Sequence, residues 1–408
     1  MMVQLLDSTL REGEQTPGVQ FTPDQKLEIA DRLDAFGIDI IEAGHPAVSP
    51  EIRDVVRRVA DLDLDAAILA HSRALRKDID QVIDTGAEWI GIFYCVTEKS
   101  LSERFNTGRE SAIARITDAI SYAKDHGLTV RYTPEDSFRT EWDGLIEVCT
   151  AAVEAGADRI SLADTVGCMT PSTINAFVKR FRREIPVQVP IHVHCHNDLG
   201  LATANSLAAV EAGASVVDVT VNGLGERAGI TSLAELAVAY RMSHTNTEDP
   251  PGDLSQLPGL SELVGRYSGI PIHEQAPIVG EHAFSHNAGL HVSAVLKDPA
   301  HYESIPVELV GRSRRIVLDR MAGQDTVRHK LAEWGLHLDA HEFSRFHTYL
   351  TTLDDGKTSE ARLRMIANQI ASANDHTGTV PSSRSMTSRG AWGPGSTIGI
   401  ASHGPLLL

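Results

Sequence analysis

From residue 3 to about 240 the chain keeps one beat: a short apolar run, a polar loop, then an amphipathic stretch of helical period. The apolar runs fall at 3–7, 38–44, 65–71, 89–95, 128–134, 159–164, 191–196 and 216–222. Between them lie segments such as PDQKLEIADRLDAFG and SAIARITDAISYAKDHG, several closing on a glycine where a helix C-cap falls (Gly37, Gly127, Gly156, Gly213). Strands alternating with helices pair in parallel. Eight such units in this length predict a closed (β/α)8 barrel over residues 1–245. A doubly wound open sheet is the alternative that the same beat allows.

After about residue 245 the beat stops. The Pro/Gly-rich acidic stretch 246–275 is expected to be the exit from the barrel, and 276–375, with helical patterns such as TVRHKLAEWGLHL, a smaller helical subdomain. Residues 376–408 are rich in Ser, Gly and Thr without period and are expected to be a flexible tail. No apolar run reaches the ~18 residues that a membrane helix needs. The four cysteines lack metal or disulfide spacing, so reduced thiols in the cytoplasm are expected. A formal charge of −18, spread along the chain, argues against a nucleic-acid partner.

In barrels of this kind, chemistry sits at the C-terminal ends of the strands. Polar clusters fall at those ends: DSTLREGEQ after the first strand, His71 on the third, Arg131 to Asp136 on the fifth, Asp164 and Thr165 after the sixth, NGLGERAGI after the eighth. The seventh strand carries PIHVHCHND, in which His192, His194 and His196 share one face by the two-residue period. His194 and His196 lie nearest the mouth. Together with one carboxylate, Asp7 or Glu12 from the first strand, which barrel closure brings beside the eighth and near the seventh, they can bind a divalent ion and leave positions open for a chelating substrate. The alternative, an HxH that is only hydrogen-bonded packing, is weakened by the acids across the mouth. His192, one layer deeper, is expected to be a satisfied core histidine, and Cys195 on the opposite face to be packing. Arg11 beside those acids suits charge developing on a carbonyl oxygen. An inward Arg131, on one face with Thr133, needs a carboxylate: Glu135, Asp136 or a ligand's, with His71 as a further donor.

DSTLREGEQTPG, HVHCHND, LADTVG, NGLGERAGIT and HAFSHNAGLH together resemble the metal-dependent barrels that condense acetyl-CoA with 2-oxo acids. These are the homocitrate, 2-isopropylmalate and citramalate synthases. Glu12 in LREGE, Ile230 in NGLGERAGIT and the pair His71 and Arg131 make the chain most similar to homocitrate synthases. The resemblance implies an acyltransferase joining acetyl-CoA to 2-oxoglutarate, with Glu12, His194 and His196 holding Mg, Mn, Zn or Co. It implies that Arg11 and Thr165 engage the oxo acid and that His71 and Arg131 grip its distal carboxylate. His291 and Tyr302 match a catalytic pair delivered from a neighbouring subunit, hence a homodimer, and Glu135 can assist them. The departures are Asn287, where Lys is usual, and His45 after the second strand. His45 is expected to add a positive group to the pocket, which keeps another dianionic oxo acid, oxaloacetate or phosphonopyruvate, open as substrate. 2-Oxoisovalerate is the alternative by likeness to the 2-isopropylmalate synthases. A hydroxy-acyl-CoA lyase is the alternative of another class, but its Gly-rich loop usually carries a cysteine, and NGLGERAGIT has none.

Overall fold

The computed structural model describes residues 3–243, 252–353 and 358–372. The eight strands close in chain order: β1 (Gln4–Asp7), β2 (Ile40–Gly44), β3 (Ala67–Arg73), β4 (Trp89–Cys95), β5 (Thr129–Glu135), β6 (Arg159–Asp164), β7 (Ile191–Cys195) and β8 (Val216–Val219). All neighbours are parallel, and β8 pairs with β1 in the register Leu6↔Asp218, so the barrel predicted from the beat is the one formed, not the open sheet.

The helices form for the reasons the sequence supplied. Pro23–Phe36 begins at Thr22, whose hydroxyl accepts from the Gln25 N–H while the Gln25 side chain returns to Thr22, and it ends at Gly37 with φ of 100°. Its apolar stripe, Ile29, Ala30, Leu33 and Phe36, is buried against the barrel. Strand β8 ends earlier than its apolar run. Asn222 takes a left-handed φ of 60° inside a short 3-10 turn, and its side chain donates to the Ser261 carbonyl at 3.0 Å, which turns the chain out of the sheet.

Side-chain alternation sorts the barrel interior into layers. Leu6, Ile40, Leu69 and Val216 form a closed apolar plug with Trp89 and Ala67 packed against it. Two residues further along, the same faces carry Ser8, Glu42, His71 and Asp218. The plug therefore floors a polar layer that opens only towards the strand C-termini.

The chain divides into two compact units. One comprises residues 1–285 and 303–315, the other 286–302 and 316–408. Within the stretch expected as an exit, the helix Leu257–Ser268 belongs to the first unit and buries Leu257, Leu260, Leu263 and Val264. The second unit has its own core, Val327, Leu331, Phe346, Leu350, Leu363 and Ile370, built from the helices Gln324–Glu333, Ala340–Thr351 and Glu360–Ser372. The expected tail, 376–408, lies outside the described residues. Among these, no helix is long and apolar enough to cross a membrane, and all four cysteines are free thiols.

Candidate active site at the barrel mouth

Leu6 and Ser8 face inward, so Asp7 between them faces outward. Its Oδ1 accepts the Thr9 N–H at 2.8 Å, and burial pushes its carboxyl up to about 7. Of the two candidate oxygen donors, only Glu12 reaches the histidines. The turn after β1 carries Glu12 across the mouth, where its Oε1 accepts the Glu226 N–H at 3.0 Å from the loop after β8. Thr16 staples the same two loops: its hydroxyl accepts from the Gly225 N–H at 2.8 Å. Gly225 is needed there. Its φ is 154°, and a Cβ would sit 3.1 Å from Glu12 Oε1.

Glu12, His194 and His196, the set that the resemblance implies, each offer one ligand atom, all within 4.8 Å of one another. Their surroundings fit a cation. Burial would raise the Glu12 carboxyl, but Arg11 first, then His194, hold it below the usual range. His194 Nδ1 lies 3.2 Å from Asp218 Oδ2. Asp218 is also buried, yet Arg131 and the two histidines keep it ionised, so it accepts and His194 keeps its hydrogen on Nδ1. Nε2 is then free to ligate, the carboxylate–histidine arrangement typical of metal sites. His196 Nδ1 is buried without a protein partner. Ile230, one of the residues that carry the likeness to homocitrate synthases, forms a backbone bridge with His196 and is buried beside it.

Below lies a buried charge network. Arg131, only 1% exposed, donates from Nη2 to Glu42 at 2.8 Å and from Nη1 to Asp218 at 3.1 Å. The partners expected for it, Glu135 and Asp136, are engaged elsewhere: Glu135 with Arg104 at 2.9 Å, Asp136 with Arg139. They sit at the strand end, above the inward layer that Arg131 occupies. Glu42 also accepts from Arg11 and Ser8 and lies 3.0 Å from His71 Nδ1. Burial would raise its carboxyl, but Arg11, Arg131 and His71 hold it well below the ordinary value. Glu12, Arg11, Glu42, Arg131, Asp218 and His194 thus form a chain of alternating partners that starts and ends on a candidate metal ligand.

A cavity of about 260 Å³ opens above this network. It is lined by every barrel residue expected in the site: Arg11, Glu12, His71, Arg131, Thr133, Glu135, Thr165, His194 and His196. Thr133 Oγ1 and Ser161 Oγ are buried there without a protein partner, the condition of groups awaiting a polar ligand. Thr165 Oγ1 instead accepts the Asp136 N–H at 2.9 Å. Glu42, Asp218 and Ser161 were missed from sequence. Each lies two residues from an inward neighbour, so a polar residue in inward register was the available signal. His45 lies beside the cavity, edge-on to His71 and Phe93 with ring centroids at 5.7 and 6.2 Å, and burial lowers its pKa. It contributes an uncharged edge rather than the positive group expected.

In the second unit His291 and Tyr302 stack with centroids 4.1 Å apart, and both are exposed. Asn287 donates to Asp319 Oδ2 at 2.7 Å within the same unit.

His192 is fully buried, but not satisfied as expected. Its Nδ1 is 3.5 Å from Asp218 Oδ1 without hydrogen-bond alignment, and both ring nitrogens otherwise lack a partner. Burial pushes His192, His71 and His196 down to about 4. An unfolded chain takes these protons near 6.5, so between about 6.5 and 4 it binds protons that the fold refuses. Stability is expected to be full above that window and to fall as pH drops through it. Thermal unfolding in EDTA checks this: the midpoint should decline between pH 6.5 and 5, and His192→Gln should flatten the decline. A level midpoint across that range would contradict it.

Residues 2–264 match the HMGL-like family and residues 278–358 the homocitrate synthase post-HMGL domain-like family. The chain is 51% identical over 333 residues to the homocitrate synthase of Pyrococcus horikoshii, covering 82% of this chain and 91% of that one. To that of Sulfurisphaera tokodaii it is 46% identical over 349 residues, covering 85% and 75%. Among solved structures, the HMG-CoA lyase from Bacillus subtilis superposes with a TM-score of 0.58 at 20% identity, over 66% of this chain and 95% of that one. At that identity the likeness is one of fold.

Proposed function

This chain belongs to the homocitrate synthase family, an HMGL-like barrel followed by the family's post-HMGL domain, and from that premise we propose that it condenses acetyl-CoA with 2-oxoglutarate to give homocitrate and CoA. The observation that carries the substrate choice is one cavity holding both a three-ligand cation site and a buried arginine layer. The two ends of a 2-oxo dicarboxylic acid ask for those two groups.

Glu12, His194 and His196 would hold a divalent cation, which when bound supplies Lewis-acid polarisation of the keto oxygen. Arg11, pinned by Glu42 and Glu12, stands ready to neutralise charge growing on that oxygen. Arg131 and Thr133, with His71, take the distal carboxylate, and Thr165 lines the same cavity. His291, assisted by Tyr302 or by Glu135, removes a methyl proton from acetyl-CoA. The resulting carbanion carbon forms the new bond to C2 of the oxo acid. Water then hydrolyses the thioester, and CoA leaves as the thiol. The pair His291 and Tyr302 acts in the site of a neighbouring copy, so the working form is a homodimer.

A thiol-release assay with acetyl-CoA and a panel of 2-oxo acids tests the proposal. 2-Oxoglutarate is expected to give the highest kcat/KM among 2-oxoglutarate, oxaloacetate, 2-oxoisovalerate, pyruvate and phosphonopyruvate. A higher value for any other acid would reassign the substrate.

A further inference from the structure

His71 is expected from sequence to donate to a carboxylate, but the structure gives its ring another resting state. Its Nδ1 faces Glu42 Oε1 at 3.0 Å. Glu42 accepts from Arg11 Nε at 2.8 Å, Arg131 Nη2 at 2.8 Å and Ser8 as well. A carboxylate so surrounded is ionised and can only accept, so the shared hydrogen belongs to Nδ1. In a neutral ring Nε2 then carries a lone pair. No protein group among the described residues hydrogen-bonds Nε2, and His71 lines the cavity.

The neighbours on each side keep the ring neutral. Phe93 of β4 stacks on its face with centroids 4.6 Å apart. His45, from the loop after β2, meets it edge-on. The guanidiniums of Arg11 and Arg131 oppose a further positive charge, and only Glu42 favours one. Burial, then Arg11, set the resting pKa at about 4. An arriving carboxylate would therefore meet a lone pair.

The charge balance of the deep site points the same way. Glu12, Glu42 and Asp218 carry three negative charges against two on Arg11 and Arg131, leaving −1. A divalent cation makes this +1. A monoanionic 2-oxo acid brings the site to zero, whereas a dianionic one leaves −1 unless one proton joins. Glu135, Glu226 and Arg227 line the outer part of the cavity, nearer water.

We propose that the protein takes up one proton when it binds the dicarboxylic oxo acid, and that His71 receives it on Nε2 and becomes the imidazolium that donates to the distal carboxylate. The proton comes from solvent. Glu42 stays ionised, and no other bond forms or breaks. The inference rests on the substrate assignment above. Between the free and bound pKa values of the ring, affinity for the dicarboxylic acid weakens about tenfold per pH unit, while that for a monocarboxylic acid does not.

Calorimetry on the full chain loaded with Mn²⁺, at pH 7 without acetyl-CoA, reads this directly. Titrations in phosphate and in Tris, buffers of different ionisation enthalpy, count the protons. Binding of 2-oxoglutarate should take up about one more proton per site than binding of 2-oxoisovalerate, which chelates alike and so cancels changes at the metal. His71→Gln should abolish that excess while metal content stays unchanged. The wild type also suffices alone, through a slope near one in log Kd against pH for 2-oxoglutarate only. Equal uptake for both acids, or an excess that survives in His71→Gln, overturns the proton assignment and leaves the substrate standing. Failure of 2-oxoglutarate to bind overturns both.

Discussion

Replacing His194 by alanine is expected to remove bound divalent metal and condensation activity together. Its Nδ1 is committed to Asp218, so Nε2 is the atom left to ligate, and without it only Glu12 and His196 remain of the candidate group. Loss of a partner that only supports a metal ligand costs 10–100-fold in affinity or activity. Loss of the ligand itself should exceed about 100-fold in kcat. Metal content by elemental analysis and CoA release, measured on one preparation, check the outcome. A variant that keeps its metal but loses turnover would move His194 out of the metal site and into the chemistry.

Arg131→Lys is the second large effect expected. Arg131 forks between Glu42 and Asp218 beneath the cavity. Lysine keeps the charge but offers a point in place of the fork, and cannot hold both carboxylates while facing a third. Truncating one partner of a buried charge pair costs about 2–5 kcal/mol, so kcat/KM for 2-oxoglutarate should fall about 10²–10³-fold. For 2-oxoisovalerate, which brings no distal carboxylate, it should change little. Equal losses on both substrates would assign Arg131 to architecture alone. Arg131→Ala is the poorer test, because it strands two buried carboxylates and costs about 3–5 kcal/mol of stability.

Much of the candidate site is legible in the amino-acid sequence. His194 and His196 could be paired because the two-residue period puts both imidazoles on one face. Barrel closure left Asp7 or Glu12 as the carboxylate, and the resemblance to the condensing barrels chose Glu12. Arg131 was recognised as needing an inward carboxylate, but that carboxylate was sought in Glu135 or Asp136 close by in sequence, or in a ligand. Its partners lie 89 and 87 residues away, on β2 and β8. Glu42 in IIEAG and Asp218 in VVDVT each look like one acid in an apolar strand. The charge of His71 was out of reach for the same reason: a ring's protonation depends on Glu42, Phe93, Arg11 and Arg131 around it, which come from four separate elements.

The amino-acid order alone determined eight parallel strands, the end at which they open, and which side chains point into the barrel, since these follow from local period and capping. Only the closed tertiary structure decided who meets whom inside: the Glu42–Arg131–Asp218 bridge, the outward turn of Asp7, the neutral ring of His71. Periodicity assigns a side chain to a face, but the energy of a buried charge depends on every neighbour within a few ångströms, and in a barrel those neighbours arrive from strands far apart along the chain.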